Sequence, residues 1–355
     1  MPHTWNRPSD VLIVGGGPAA AAAAITCRRS GLSTRLVTKD DDPAAFTGAA
    51  EPRGGPRPLE SMHPGVETLL EHLGAREALA RATVATYESI LTGEAPRNLS
   101  PDQAQSWQGA HVNRTEFDRA LLGTARACGA EIIHGIAVDG VVAEGPRVTA
   151  ARAGDGRTLS ARWLIDASGR RGTLGRLLGF ERRVLSSPLT AWTGIARIDK
   201  ESNEGAPPRF VPDQQGWSWL TQPVGSHVTW TRLVPTKTSM PLPPPELSSS
   251  PTVGRIRASN VQWRVFRPLA APGVVLCGDA GGILDPACGQ GVLNALYSGI
   301  MAATCLAQST RDPSREAWYL ASYDQWFMER FEFTARTLRD YYETLGIEIG
   351  RDEEP

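Results

Sequence analysis

The ordered pattern begins with a continuous apolar run, Val11-Leu12-Ile13-Val14, set off by Asp10. Short unbroken runs of this kind read as strands buried on both faces. Residues 18–30 are alanine-rich and helical, and Leu36-Val37 makes a second short strand, so the chain starts β-α-β. Residues 64–82 carry helical apolar spacing with a break at Gly74. Residues 114–129 predict another helix, followed by the strand Glu131-Ile132-Ile133. Trp163-Leu164-Ile165 and Gly273-Val274-Val275-Leu276 read as further buried strands. Between 186 and 235 apolar and polar side chains alternate, which predicts a half-exposed antiparallel sheet with a hairpin turn at Pro223–Ser226. The Pro- and Ser-rich segment 241–251 predicts a loop. Residues 292–307 and 313–345 are helical, the second rich in Trp, Tyr and Phe. This order fits a parallel sheet with an inserted antiparallel one, an α/β fold.

Composition narrows the classes of function. The 355 residues carry a formal net charge of −1 and are 41% hydrophobic, enough for one large domain or two linked ones. There is no strongly basic run, so nucleic acid is not an expected partner. Lysine is confined to Lys39, Lys200 and Lys237. The cysteines Cys27, Cys128, Cys277, Cys288 and Cys305 are widely spaced and make neither a disulfide framework nor a CxxC pair. The polar start MPHTWNRPSD is not of signal-peptide type, and no run is long enough to span a membrane, so a cytoplasmic location is expected. No His/Cys/Asp set has metal-ligand spacing.

Two glycine clusters carry the candidate chemistry. The first, VLIVGGGPAA, places Gly15-x-Gly17-x-x-Ala20 between a strand and a helix, with Pro18 inside it. The first glycine permits the tight turn, the second lets a pyrophosphate approach the backbone, and small Ala20 lets helix and strand pack closely. The phosphates would sit on the helix N-terminus. The acid that usually binds the ribose is replaced by Thr38, followed by Lys39. A threonine hydroxyl can still bond a ribose hydroxyl.

The second cluster is CGDAGGILDPACGQGVLNAL, residues 277–296. A nicotinamide enzyme needs no such cluster; an FAD enzyme does. Asp279, at a strand end, is placed to accept hydrogen bonds from ribityl hydroxyls. A helix opened by Gly289-Gln290-Gly291 would aim N–H groups at the flavin pyrimidine edge, where the reduced ring is anionic. Pro286 fixes the turn before it.

GDAGGILDPACGQG resembles the second FAD motif of the flavoprotein monooxygenase superfamily, which includes aromatic hydroxylases and flavin-dependent halogenases. RPLESMHPGVETLLEHLG (57–74) is similar to the halogenase-side GES motif, with Leu59 in place of its glycine. HVNRTEFDRALLGTARACGAEI (111–132) resembles the family's Arg-x-x-Phe-Asp helix. ARWLIDASGRRGTLGRLLG (161–179) resembles its DG motif at Asp166 and Gly169, and GWSWLTQP (216–223) its Trp-x-Trp-x-x-Pro pattern. The short chain, the DPxxxQG motif and the aromatic C-terminal helix are most similar to flavoproteins that mature tryptophylquinone cofactors in lysine and glycine oxidases and in quinohemoprotein amine dehydrogenase.

The resemblance implies a Rossmann-like FAD-binding domain of glutathione-reductase type, with an inserted antiparallel β-sheet substrate domain and C-terminal helices. The FAD-binding domain would comprise 1–80, 110–185 and 260–312, the substrate domain 81–109 and 186–259, and the helical segment 313–355. The implied activity is FAD-dependent hydroxylation of an electron-rich, indole-like ring, using O2 and electrons from NAD(P)H or a separate reductase. The substrate would be an aromatic small molecule or a protein-bound tryptophan in a partner quinoprotein. The alternative is a flavin-dependent dehydrogenase or reductase of a small molecule, of the geranylgeranyl-reductase-like kind; an accessory flavin binder without turnover is a third. Halogenation is disfavoured: residues 40–199 contain no lysine, and Cys288-Gly289 stand where that branch places its glutamate and serine.

Individual side chains keep two readings each. His63 is a base beside the flavin or a histidine capping the helix at Pro64. Glu60 borders the flavin or is a helix-entry acid. Cys288 is a reactive thiol near a helix N-terminus or a small packing residue. Trp217 and Trp219 stack an aromatic substrate or fill the sheet core. Arg114 reaches the FAD or pairs along its own helix with Asp118.

Overall fold

The computed structural model describes residues 8–41, 57–92, 95–99, 107–199, 206–235 and 243–350. The polar N-terminal residues 1–7 and the first two residues of the Pro/Ser-rich loop, 241–242, lie outside them. The central sheet runs Ala270–Ala271, Val274–Leu276, Thr158–Asp166, Ser9–Val14, Thr34–Val37, Glu131–Ile133. Along this path all neighbours are parallel except the first pair, and two further strands, Arg147–Ala153 and Val138–Glu144, add antiparallel pairs from Thr158–Asp166 outward. Its strands are continuous apolar runs because helices or other layers cover both faces. The register pairs Val14 with both Val37 and Asp166, and Asp166 with Leu276. Four strands therefore end in one row, and the loops that follow them share one edge.

Seven α-helices are found among the described residues: α1 Pro18–Arg29, α2 Gly65–His72, α3 Arg76–Ala82, α4 Arg114–Ala127, α5 Thr173–Leu177, α6 Gly291–Arg311 and α7 Glu316–Thr344. The expected break near Gly74 separates α2 from α3. Proline at the first position starts α1, and Asn113 caps α4 by accepting from the N–H groups of Thr115 and Glu116. The alanine face of α1 lies against α6 so closely that a Cβ on Gly299 would come within 2.3 Å of the Ala19 carbonyl oxygen.

The second sheet has seven strands, in the order Thr252–Asn260, Leu189–Arg197, His227–Pro235, Gly216–Leu220, Arg209–Asp213, Ser89–Thr92, Ala95–Asn98. The expected turn at Pro223–Ser226 is present, closed by a bridge between Val224 and His227. The expectation of a half-exposed sheet needs correction at its centre, where Trp217, Ser218, Leu220, Trp230 and Leu233 are all buried. One face meets Ala335, Leu338 and Tyr342 of α7. Buried Leu247, in the turn Pro245–Leu247 of the Pro/Ser-rich segment, packs with Trp230 and Leu220 on the other.

Candidate active site

The row of strand ends is a concave edge lined by backbone. Gly15 has φ +129°, and a Cβ there would lie 2.1 Å from the Ala167 carbonyl oxygen, so only glycine serves. Gly17, Gly289 and Gly291 are different: a Cβ on any of them would meet nothing within 4 Å. These three face open space along the edge, at the starts of α1 and α6. That is the cradle an extended dinucleotide with a flat ring requires, and it is the observation on which the residues present fit FAD.

Asp166 holds the edge in shape. Its carboxylate, fully buried, accepts from the N–H groups of Ser168, Leu174 and Gly175 at 3.0, 2.6 and 3.2 Å. Burial raises its pKa, and those backbone donors oppose the rise.

Past the second strand, Thr38 is only 3% exposed and its hydroxyl turns into its own loop, accepting from Asp40 N at 3.2 Å. The ribose contact expected of Thr38 is therefore not presented. Asp40, which sequence reasoning passed over, offers an exposed carboxylate there, paired with Lys39 at 2.6 Å. It stands two residues beyond Thr38, past the end of the strand.

Asp279 follows the strand Val274–Leu276 in a 3-10 turn, with its carboxylate 41% exposed to the cleft and 3.7 Å from Arg170. Arg114, at the start of α4, makes the pairing expected along its helix and a second ion pair besides. It pairs with Asp118 along its helix at 3.1 Å and with Glu60 across the cleft at 2.6 Å. Burial depresses its pKa, but Glu60 and Asp118 outweigh that and raise it, so the guanidinium stays charged.

Before α6, Asp285 is completely buried and accepts three bonds: Trp263 Nε1 at 2.6 Å, Ala287 N at 2.8 Å and the Tyr342 hydroxyl at 2.9 Å. Tyr342 in turn accepts from Trp217 Nε1 at 2.7 Å. This network ties the Pro286 turn, and through it Gly289-Gln290-Gly291, to α7 and to the second sheet. It also corrects Trp217. With 1% of its surface exposed and its N–H engaged, that indole has no face left to stack a substrate. Trp219 is partly exposed and donates to Ser61 Oγ at 2.9 Å.

Cys288 is not an activated thiol. Burial pushes it up to about 12, against weaker help from the backbone N–H of Gln290. His63 caps α2, as its second reading expected: Nδ1 accepts from Gly65 N at 3.0 Å. Burial, and then the charge of Arg330, lower its pKa. A neutral imidazole whose Nδ1 accepts carries its proton on Nε2, so His63 offers a donor there rather than the lone pair of a base.

Sequence reasoning also missed a second network. His111 is fully buried; its Nε2 accepts from Gln222 N at 3.1 Å, so its Nδ1 donates to Ser61 Oγ at 3.0 Å. Tyr87 stacks on this imidazole at 4.6 Å. Desolvation takes His111 down to about 4. The Ser of the GES-like motif and Trp219 of the Trp-x-Trp motif thus meet through one hydroxyl.

A cavity opens beside this edge, between α6, α7 and the turns after Leu276. Its interior holds about 60 Å3, and it is open to solvent at one end. Asp279, Cys288 and Gly291 line it on the side where a flavin would lie, the flavin-side wall, and Leu284, Trp326, Phe327 and Phe331 make an apolar wall, with Arg330 and Asn294 among them.

An open α/β edge with a glycine cradle and the cleft-facing acid Asp279 beside it is the arrangement of a flavin-dependent oxidoreductase. The family comparison agrees: residues 8–240 match the model of the FAD binding domain family, and the chain belongs to that family. It is 26% identical to tryptophan 2-halogenase of Chondromyces crocatus, over 94% of this chain and 68% of that protein. It is 28% identical to digeranylgeranylglycerophospholipid reductase of Methanosphaerula palustris, over 89% of this chain and 80% of the reductase. Among solved structures, the flavin-dependent halogenase CmlS superposes with a TM-score of 0.77 at 23% identity; 95% of this chain is covered, and it spans 64% of the halogenase. The peptidyl tryptophan dihydroxylase QhpG, essential for tryptophylquinone cofactor biogenesis, superposes at 0.71 with 21% identity, over 98% of this chain and 77% of its own. At these identities the two structures speak to the fold alone. No helix among the described residues is long and apolar enough to cross a membrane.

Proposed function

We propose that the chain is an FAD-dependent monooxygenase that hydroxylates an electron-rich, indole-like ring. The observation that carries this reading is the aromatic-walled cavity opening beside Asp279, Cys288 and Gly291. Bound FAD, once reduced, supplies oxygen transfer from O2. The chain's own part is to bind, orient and exclude water. Gly17, Gly289 and Gly291 give bare backbone for close approach, Asp279 accepts from the ribityl chain, and Arg114 holds positive charge in the cleft. Trp326, Phe327 and Phe331 present a dry wall on which a flat substrate stacks. The sealed thiol of Cys288 and the Nε2–H of neutral His63 add no competing nucleophile or base. NAD(P)H, or a separate reductase, is the proposed electron source.

The narrow interior favours a small aromatic molecule over a protein-bound tryptophan in a quinoprotein; the latter reading is supported by fold likeness to a peptidyl tryptophan dihydroxylase. A small-molecule reductase is the second reading, favoured by the 28% identity over 80% of the Methanosphaerula reductase. Isotopically labelled O2 separates them. With reduced FAD-loaded protein and an indole, labelled oxygen in the product supports the monooxygenase. Turnover that proceeds without O2 would replace it with the reductase.

A further inference from the structure

We propose that Arg330 is a carboxylate anchor, and that the substrate is a small aromatic acid whose carboxylate enters the α6–α7 cavity while its ring lies toward the flavin-side wall. This rests on the aromatic-substrate reading above and adds the class of ligand to it.

The guanidinium of Arg330 is held on two sides and open on the third. Its Nε donates to Asn294 Oδ1 at 3.0 Å. Its plane sits over the Tyr297 ring, 5.0 Å from the centroid. Among the described residues neither Nη finds a hydrogen-bond acceptor, and no carboxylate comes within ion-pair distance. Two acids of α7 are committed elsewhere: Asp324 accepts from Leu269 N at 2.6 Å, and Glu329 accepts from Gln325 at 2.7 Å; a third, Glu332, is exposed and makes no ion pair with Arg330. Asp279 lines the same cavity but pairs with Arg170. An arginine fixed through Nε and its π face, with both Nη groups unclaimed beside a cavity, is a preorganised two-pronged donor. The charge is felt nearby, since it adds to burial in depressing His63.

The surroundings choose the ligand. A planar carboxylate matches two parallel N–H donors, and one arginine does not neutralise a phosphate dianion. A clear interior of about 60 Å3 takes a carboxylate and its nearest carbon, not a whole ring. The ring is left outside that interior, between the aromatic side chains of α7 and the wall formed by Asp279, Cys288 and Gly291. A free acid fits this division; a tryptophan inside a folded chain brings no carboxylate of its own to the same place.

The test compares two ligands of one shape, indole-3-acetate and indole-3-acetamide, titrated into the FAD-loaded protein and read by perturbation of the flavin absorbance. The acid is expected to bind about tenfold tighter than the amide, as a charge-assisted bidentate contact implies. R330Q should reduce that ratio to near one, and R330K should keep part of it. FAD content and thermal midpoint of each variant are measured alongside, and the amide titration controls for a misshapen pocket. Equal binding of acid and amide by the unaltered protein, or an undiminished ratio in R330Q, would overturn the proposal, as would no binding of either. Tighter binding of indoxyl phosphate than of indole-3-acetate would overturn the carboxylate in favour of a phosphate. Labelled-oxygen incorporation into the amide with no preference for the acid would sink this inference and leave the monooxygenase reading standing.

Discussion

The edge of the parallel sheet and the junction between the second sheet and α7 solve opposite problems. The edge is open and made of backbone. Glycines and helix starts leave N–H groups and bare surface for something else to cover. The junction is closed and made of side chains, with Asp285, Tyr342, Trp217 and Trp263 satisfying one another, and His111, Ser61 and Trp219 doing the same nearby. The contrast is that the open region takes its identity from what is missing, the closed one from side chains that pair with one another. That pairing is what lets the open region stay where it is, because the closed network anchors the turn that launches α6.

The sharpest way to break the contrast is at Asp285. Asp285→Ala would leave Trp263 Nε1, Tyr342 OH and Ala287 N without an acceptor. A loss of about 3–5 kcal/mol in unfolding free energy is expected, measured by denaturant titration with an unchanged m-value. A loss below about 1 kcal/mol would mean the network is not closed.

His111 tests the second closed network through pH. Its folded pKa, about 4, lies below its ordinary 6.5, so below pH 6.5 the unfolded chain takes up a proton that the native imidazole refuses. Stability should be intact above that range and fall as the pH drops from 6.5 toward 4, by at most about 3 kcal/mol. His111→Gln should remove that share of the slope when thermal midpoints are compared across the range; an unchanged slope would place the titration elsewhere.

Arg114 sharpens the comparison from the open side. Arg114→Gln leaves Glu60 and Asp118 facing the cleft without their cation, and FAD affinity is expected to fall about tenfold by fluorescence titration. Cys288 gives the smallest effect. Cys288→Ala should change unfolding free energy by under about 1 kcal/mol, and iodoacetamide should leave the native thiol unmodified at neutral pH, because it stays protonated.

How far the chain could be read in advance follows the same division. Gly15-x-Gly17 and Gly289-Gln290-Gly291 were legible because a turn, a close approach and a helix start each demand a residue type at a fixed spacing. The parallel strands were legible as apolar runs. Asp40 was passed over because it lies in the loop two residues beyond Thr38, where strand-end counting does not look. Trp217 was ambiguous because its partner Tyr342 lies 125 residues away, and an indole that stacks on substrate looks the same in sequence as one that donates into the core. His111 sat in a quoted motif, but its partners come from elsewhere, Ser61 from another strand and Gln222 from the segment after Gly216–Leu220. Nothing local marks a side chain whose role is set by long-range pairing.

The most direct test of the account lies at Gly291. A Cβ there meets nothing in the protein within 4 Å, and Gly17 is alike. Gly291→Val should fold with the thermal midpoint of the unaltered apoprotein, yet bind FAD at least about a hundredfold more weakly, since its side chain fills the place where the ring lies against backbone. A Gly291→Val protein that folds normally and takes up FAD with undiminished affinity would contradict the account.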